Sequence, residues 1–147
     1  MNASEPIGPL GDRLIQAGQD LVIRRPHAGD PLPDDLHGFD GLVVLGGAQS
    51  ANDPPEHWPW ISDVRRLLRD SLIRHTPVLA ICLGGQLLAQ ESGGSVRTGV
   101  EGSAIGALRV GKRDAAFEDP LFAALPITPL VIQWHDVEID VLPPGRR

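Results

Sequence analysis

The sequence contains one cysteine, Cys82, which lies between a short apolar run and a segment of helical character. The order of residues 78–89 predicts a strand, a sharp turn and a helix, with the thiol at the turn. A cysteine at the start of a helix faces the positive end of the helix dipole, which favours the reactive thiolate. The backbone N–H of Leu83 is unpaired in that first turn and can stabilise a developing oxyanion. These features predict a nucleophile that attacks a carbonyl group.

A second apolar run, residues 39–45, ends at Gly46 and Gly47, where the lack of side chains lets the backbone approach a substrate closely. An N–H from this loop, together with that of Leu83, would provide two donors for an oxyanion in acyl transfer. The local pattern leaves another interpretation open, because a single buried cysteine is commonly an unreactive small hydrophobic residue.

Apolar runs alternate with segments of helical periodicity along the whole chain. Helices are predicted at residues 10–17, 60–74 and 83–91, and strands at residues 20–24, 39–45, 77–82, 104–110 and 130–134. Residues 115–125 can hold only short helical turns, because Pro120 interrupts them. The alternation predicts an α/β fold with a doubly wound, mainly parallel sheet and helices on both faces, built as a single domain over residues 1–147. Sites in this class lie beyond the carboxyl ends of the strands, where Gly46 and Cys82 are placed.

The composition excludes several classes of function. There are 13 Lys and Arg against 19 Asp and Glu, so the net charge is −6 and nucleic acid is not an expected partner. One cysteine forms no internal disulfide, and the histidines and carboxylates lack metal-ligand spacing, so no metal is predicted. The glycine-rich segment after residue 45 matches no nucleotide-binding pattern. No signal peptide or membrane span is readable, and we expect a cytoplasmic protein without a membrane partner.

Residues 80–86, Ala-Ile-Cys-Leu-Gly-Gly-Gln, resemble the nucleophile motif G-x-C-x-G-x-Q of the class I glutamine amidotransferases, with Ala80 in place of the first glycine. Residues 45–53 resemble the glycine loop of that family, residues 102–106 its short E-x-G-type segment, and residues 133–136 its W-H-x-D segment. The resemblance covers essentially the whole chain and is strongest to the amidotransferase half of GMP synthetase.

The resemblance implies a flavodoxin-like amidotransferase fold and a glutaminase half-reaction that needs no cofactor. Cys82 would attack the side-chain amide of glutamine, giving a γ-glutamyl thioester and ammonia, and water would then release glutamate. The N–H groups of Gly47 and Leu83 would form the oxyanion hole, Gln86 would help to hold the glutamine, and His135 would belong to the substrate-side wall. The ammonia would pass to an acceptor on a synthetase domain or subunit.

The sequence departs from the family pattern at both ends. The family's general-base histidine and the glutamate that orients it lie well beyond the W-H-x-D segment, whereas this sequence stops at Arg147. His135 is the only histidine placed to substitute for that base. The apolar strand expected ahead of residues 10–17 is also missing, so we expect a fragment of a longer amidotransferase.

Two classes of function therefore stay open. One is an enzyme, a cysteine-dependent amidotransferase or a related γ-glutamyl hydrolase. The other is a catalytically silent fragment, or a regulatory or interaction module with the same fold but without the base. A peptidase-like or redox protein is a more distant third, against which Gln86 and residues 134–136 argue.

Overall fold

A computed structural model describes residues 7–100 and 102–144 of the 147-residue chain. Its helices are α1 (Gly8–Gln16), α2 (Pro59–Arg74) and α3 (Leu83–Glu91), with short 3₁₀ turns at Pro26–Ala28 and Asp114–Phe117. Within the described ranges, no helix has the length and apolar character that a membrane crossing requires. The predicted lack of a strand ahead of α1 concerns mainly residues 1–6, which lie outside the described residues.

In the described part of the chain, six strands form three two-stranded sheets. They are β1 (Leu42–Val44), β2 (Val78–Ala80), β3 (Ser95–Thr98), β4 (Ala104–Arg109), β5 (Leu130–His135) and β6 (Val137–Val141). Strands β1 and β2 are parallel, as their connection through the crossover helix α2 requires, whereas β3 pairs with β6 and β4 with β5 in antiparallel fashion. The predicted α/β class is confirmed, and parallel pairing among the described strands is confined to β1 and β2.

The core lies where α2 and α3 pack against the β1–β2 pair. Its buried members are Ala51, Ile61, Val64, Leu68, Leu83 and Leu87. The side chains of Leu68 and Leu87 are 0% and 1% exposed, so they fix the two helices against each other. Helical spacing of the apolar residues predicted this face of α2. Helix α3 begins at Leu83, shortly after β2 ends at Ala80.

The predicted strand at residues 20–24 is wrong, because these residues form neither helix nor strand. Val22 and Ile23 are 57% and 47% exposed. A strand needs a hydrogen-bonded neighbour, and β1, the nearest candidate, pairs only with β2 in the described structure. A cavity separates residues 20–25 from β1. The apolar character of residues 20–24 was therefore not sufficient for them to pair with β1.

Asp70 links α2 to the loop before β1. Its carboxylate accepts the N–H of Leu36 at 2.8 Å and the Nε of Arg74 at 2.9 Å. The Leu36 N–H, and then Arg74, hold the pKa of Asp70 below its ordinary value. A carboxyl with a lowered folded-state pKa contributes stability that is present above its unfolded pKa and lost as the pH falls.

We therefore expect the urea midpoint of the unmodified chain to exceed that of Asp70→Asn at pH 7. The difference should shrink as the pH falls from about 5 towards 2, because the carboxyl becomes protonated in the folded state as well. Urea titrations of both chains at a series of pH values measure it. A difference that persists undiminished at the lowest pH would contradict this account of Asp70.

Candidate active site

Cys82 lies at the turn between β2 and α3 with φ 54° and ψ −115°. A positive φ in a residue with a Cβ costs of order 1–3 kcal/mol and persists where neighbouring contacts hold it. The N–H of Gly84 donates to the carbonyl of Ile81, and the N–H of Gln86 donates to that of Cys82, both at 3.0 Å. Cys82 itself is exposed. The strand, sharp turn and helix expected from the sequence are present, and Cys82 is not the buried residue of the alternative interpretation. Its reactivity stays a prediction.

Two glycines let the backbone pack tightly around this turn. A Cβ added to Gly84 would lie 2.9 Å from the carbonyl carbon of Val44 in β1, closer than real Cβ atoms come. A Cβ added to Gly46 would lie 3.2 Å from the Cβ of Cys82 and 3.6 Å from its Sγ. The loop after β1 and the cysteine turn are therefore in contact, at the carboxyl ends of two adjacent parallel strands.

The two predicted oxyanion donors flank this contact. Leu83 is the first residue of α3, so its N–H has no acceptor within the helix. Gly47 follows Gly46 in the loop, and within residues 7–100 and 102–144 neither its N–H nor that of Leu83 donates a hydrogen bond to the protein. The absence of a protein acceptor in these ranges is what the predicted role of the two N–H groups requires.

Arg65 of α2 anchors the glycine loop, by which we mean residues 45–53. Its guanidinium donates to the carbonyl of Ala51 at 2.8 Å and to Oε1 of Gln90 at 2.6 Å. The same group forms an ion pair with Glu91 at 2.7 Å. Arg65 therefore ties the loop to the carboxyl end of α3. No local pattern indicates this role, because Arg65 is one of several arginines on the polar face of α2.

Asp53 is the last residue of the glycine loop. Its Oδ2 accepts the N–H of Ser50 at 2.9 Å and the indole Nε1 of Trp58 at 3.0 Å. Trp60, two residues further on, packs against the core cluster. Trp58 thus links the loop to the start of α2.

Gln86 and His135, the two predicted substrate-binding residues, have different surroundings. Gln86 is 8% exposed, and its Nε2 donates to the carbonyl of Val137 at 3.2 Å. His135 is half-buried in β5, and its Nε2 lies 2.8 Å from Oε1 of Gln133. Gln86 therefore connects α3 to the start of β6, immediately after the segment that carries His135.

Gln49 of the glycine loop is a feature that the sequence did not reveal. Its side chain is 8% exposed, and its Oε1 has no hydrogen-bond partner among the described residues. An amide oxygen buried without a partner is costly, so this group is ready to accept a hydrogen bond. Nothing in the local pattern distinguishes Gln49 from an ordinary loop glutamine.

The described part of the chain places no acid or base in hydrogen-bond contact with the thiol. No hydrogen bond joins Sγ of Cys82 to a histidine or a carboxylate in residues 7–100 and 102–144, and the same ranges hold no cluster of three potential metal ligands. His75 lies at the end of α2, where it has φ 57°. The arrangement provides an exposed thiol, with the unpaired N–H groups of Leu83 and Gly47 in the turn and the loop that meet there.

The contact between Gly46 and the thiol leads to a prediction. We expect Gly46→Ala to slow alkylation of Cys82 by iodoacetamide by about tenfold, because the added methyl group crowds the approach to the sulfur. Gly41→Ala is the matched control, since a Cβ there would meet only the Pro77 carbonyl at 3.5 Å. Equal alkylation rates in the two variants would show that Gly46 does not limit access.

Comparisons with known proteins show the family of the chain. A family model described as glutamine amidotransferase class-I matches residues 10–146. The glutamine amidotransferase-like protein YfeJ of Salmonella typhimurium is 32% identical over 121 residues, which cover 81% of this chain and 50% of that protein. A glutamine-hydrolysing GMP synthase subunit of Halobacterium salinarum is 33% identical over 106 residues, covering 72% of this chain and 50% of that protein.

A solved structure has the same fold. The glutamine amidotransferase from Methylobacillus flagellatus superposes with a TM-score of 0.84 at 33% identity, over 99% of this chain and 56% of that one. The chain thus spans about half the length of the relatives it matches. Because the family model covers nearly every residue and the fold agrees, the chain belongs to the class I glutamine amidotransferase family.

Proposed function

We propose that the chain carries the nucleophile half of a glutaminase site, in which Cys82 hydrolyses the side-chain amide of glutamine. The observation that carries this proposal is the exposed Cys82 at a positive-φ turn, in contact with Gly46 and beside the free N–H of Leu83. A nucleophile flanked by two backbone donors suits acyl transfer, since negative charge develops on the carbonyl oxygen during attack.

In the proposed reaction the Cys82 thiolate adds to the amide carbon of glutamine, and the carbonyl oxygen becomes an oxyanion. The N–H groups of Gly47 and Leu83 donate to that oxygen. The carbon–nitrogen bond then breaks, the nitrogen takes up a proton and leaves as ammonia, and a γ-glutamyl thioester remains on the sulfur. Water adds to the thioester, which releases glutamate and restores the thiol.

Gln86 and His135 are proposed to form part of the boundary of the substrate site. Gln86 lies one turn along α3 from Cys82 and connects to Val137, so it can define the distance between α3 and the segment around His135. The ammonia would pass to a synthetase domain or subunit. This proposal is supported by the relatives named as glutamine-hydrolysing GMP synthases and as the small chain of a carbamoyl phosphate synthase.

A diazoketone analogue of glutamine tests the proposal, because covalent labelling by the analogue needs both substrate recognition and an activated thiol. We expect intact-protein mass spectrometry to show one adduct per chain, located on Cys82 by peptide mapping. Excess glutamine should suppress labelling, whereas asparagine, which is one methylene shorter, should not. Labelling that glutamine leaves unchanged would refute a glutamine site.

A catalytically silent module is the second candidate. The observation in its favour is that no base contacts the thiol within the described residues. The two candidates differ in turnover: a glutaminase releases ammonia and glutamate continuously, whereas a silent module releases neither. Ammonia release measured with glutamine in excess separates them.

A further inference from the structure

The guanidinium of Arg65 is the point at which three segments of the chain meet. From its place in α2 it donates to the carbonyl of Ala51 in the glycine loop at 2.8 Å, and to Oε1 of Gln90 in α3 at 2.6 Å. It also pairs with Glu91 of α3 at 2.7 Å, where the two side chains are 23% and 11% exposed. Solvent screens such a pair less than an ion pair on the open surface, so the contact holds the three segments together.

A second contact ties the same end of the glycine loop to α3. Nε2 of Gln90 donates to Oδ1 of Asn52 at 2.9 Å, while Oε1 of the same amide accepts from Arg65. Both polar ends of the Gln90 side chain therefore serve this connection. Ala51 is 4% exposed and belongs to the apolar cluster that contains Leu83 of α3. Residues 51 and 52 are thus held against α3 by polar and apolar contacts together.

The opposite end of the glycine loop meets α3 at the cysteine turn. A Cβ added to Gly46 would lie 3.2 Å from the Cβ of Cys82, the residue that precedes α3. Gly47 follows directly, so this predicted oxyanion donor lies between two attachments to one helix. A helix holds its groups more precisely than a loop does, and the same helix begins with Leu83, the other predicted donor. The two attachments therefore fix the position of one N–H group relative to the other.

Arg65 acts at a distance from the reacting atoms. Its partners Gln90 and Glu91 lie eight and nine residues beyond Cys82. This separation is about 12 Å along a helix, which rises about 1.5 Å per residue. An oxyanion hole accelerates a reaction when its donors are in place before charge develops, because ordering them later would add to the barrier. A residue that fixes a donor from this distance therefore affects the rate without contacting the substrate.

We propose that Arg65 is a positioning residue for the oxyanion hole. By fixing Ala51 to the carboxyl end of α3, its guanidinium holds the N–H of Gly47 where the carbonyl oxygen of glutamine arrives. This role rests on the proposed glutaminase site, in which Gly47 is an oxyanion donor. Loss of the guanidinium should therefore slow attack on a carbonyl group and leave the accessibility of the Cys82 thiol unchanged.

Arg69 provides a matched control for an ordinary ion pair. It lies one turn further along α2 and pairs with the same Glu91 at 2.7 Å. However, Arg69 is 53% exposed, and within residues 7–100 and 102–144 it makes no hydrogen bond to the glycine loop. Arg65→Gln and Arg69→Gln each remove one partner of Glu91, whereas only the first releases the loop. Arg65→Lys is a second variant that keeps the charge beside Glu91 but lacks the planar fork that reaches all three acceptors.

The test compares two reagents on the 147-residue chain. The diazoketone analogue offers a carbonyl oxygen to the two donors, whereas iodoacetamide alkylates at its methylene carbon and needs only an accessible thiol. Removal of an oxyanion donor costs about a hundredfold or more in rate, so its displacement should lower the ratio of the saturating diazoketone rate to the iodoacetamide rate about tenfold. We expect this fall in both Arg65 variants and a change of less than about twofold in Arg69→Gln. A merely structural role would lower the melting temperature without moving the ratio.

Backbone amide relaxation measured by NMR gives a readout that does not depend on the reaction. The order parameter of Gly47 should be about 0.85 in the unmodified chain and in Arg69→Gln, and below about 0.6 in Arg65→Gln. If the unmodified chain is labelled but the ratio or this order parameter is unchanged in the Arg65 variants, the positioning role is overturned and the glutaminase site stands. If the diazoketone does not label the unmodified chain, both the glutaminase site and the positioning role are overturned.

Discussion

Cys82→Ser is expected to abolish both labelling by the diazoketone analogue and ammonia release from glutamine. A serine hydroxyl is far less acidic than a thiol, and no base contacts this position among the described residues, so the variant has no nucleophile at neutral pH. Loss of a covalent nucleophile lowers turnover by at least about a thousandfold, which places the variant below detection. Mass spectrometry and a coupled assay for ammonia measure the two losses.

The control for this experiment is the stability of the variant. Cys82 is exposed and the substitution keeps nearly the same shape, so we expect the free energy of unfolding to change by less than about 0.5 kcal/mol. A folded serine variant that still releases ammonia from glutamine would rule out the covalent route, whereas one that fails to fold would give no support to it.

Gly84→Ala is expected to destabilise the domain by about 1–3 kcal/mol, which corresponds to a fall in melting temperature of roughly 3–10 °C. The added Cβ would lie 2.9 Å from the carbonyl carbon and 3.0 Å from the Cβ of Val44. Neither atom can move freely, since Val44 is in β1 and accepts a hydrogen bond from Ile81. To relieve the clash, α3 must shift away from the sheet and carry the cysteine turn with it.

Gly85→Ala is the matched control on the same helix. A Cβ at Gly85 would meet its nearest neighbour, the carbonyl oxygen of Ala80, at 3.5 Å, which is ordinary contact. Since alanine favours a helix over glycine by about 1 kcal/mol, this variant should be as stable as the unmodified chain or more so. Thermal unfolding of the pair separates helix propensity from the close packing of α3 on β1. Equal melting temperatures would mean that the packing at Gly84 is not tight.

Prediction from the sequence succeeds best where local chemistry decides the structure. The helix predicted at residues 83–91 forms α3 with those bounds, because the glycine pair at its start and the glycines after it mark both ends. Gly18, two residues after the end of α1, has φ 82°, a left-handed conformation that favours glycine. The position of Cys82 between strand and helix belongs to the same class, since a few adjacent residues determine it.

Features that depend on distant partners are predicted less well. Residues 20–24 have the apolar character of a strand but lack a neighbour to pair with in the described structure. The predicted strands did not include β3 and β6, although Val-Glu-Ile-Asp-Val in residues 137–141 alternates apolar and acidic side chains and could have signalled β6. The anchoring of the glycine loop by Arg65 had no local signal, because its partners are 14 and more residues away.

The hydrogen bond from Gln86 to Val137 joins residues 51 positions apart. During synthesis on the ribosome, α3 and its cysteine emerge long before the residue that Gln86 must reach. Strand β3 likewise cannot pair until β6 has been synthesised, and the last paired residue of β6 is Val141. The cysteine turn can therefore form early, whereas the contacts that join α3 and β3 to β6 form late. A nascent chain exposes Cys82 before those contacts exist, until almost all of this sequence has left the exit tunnel.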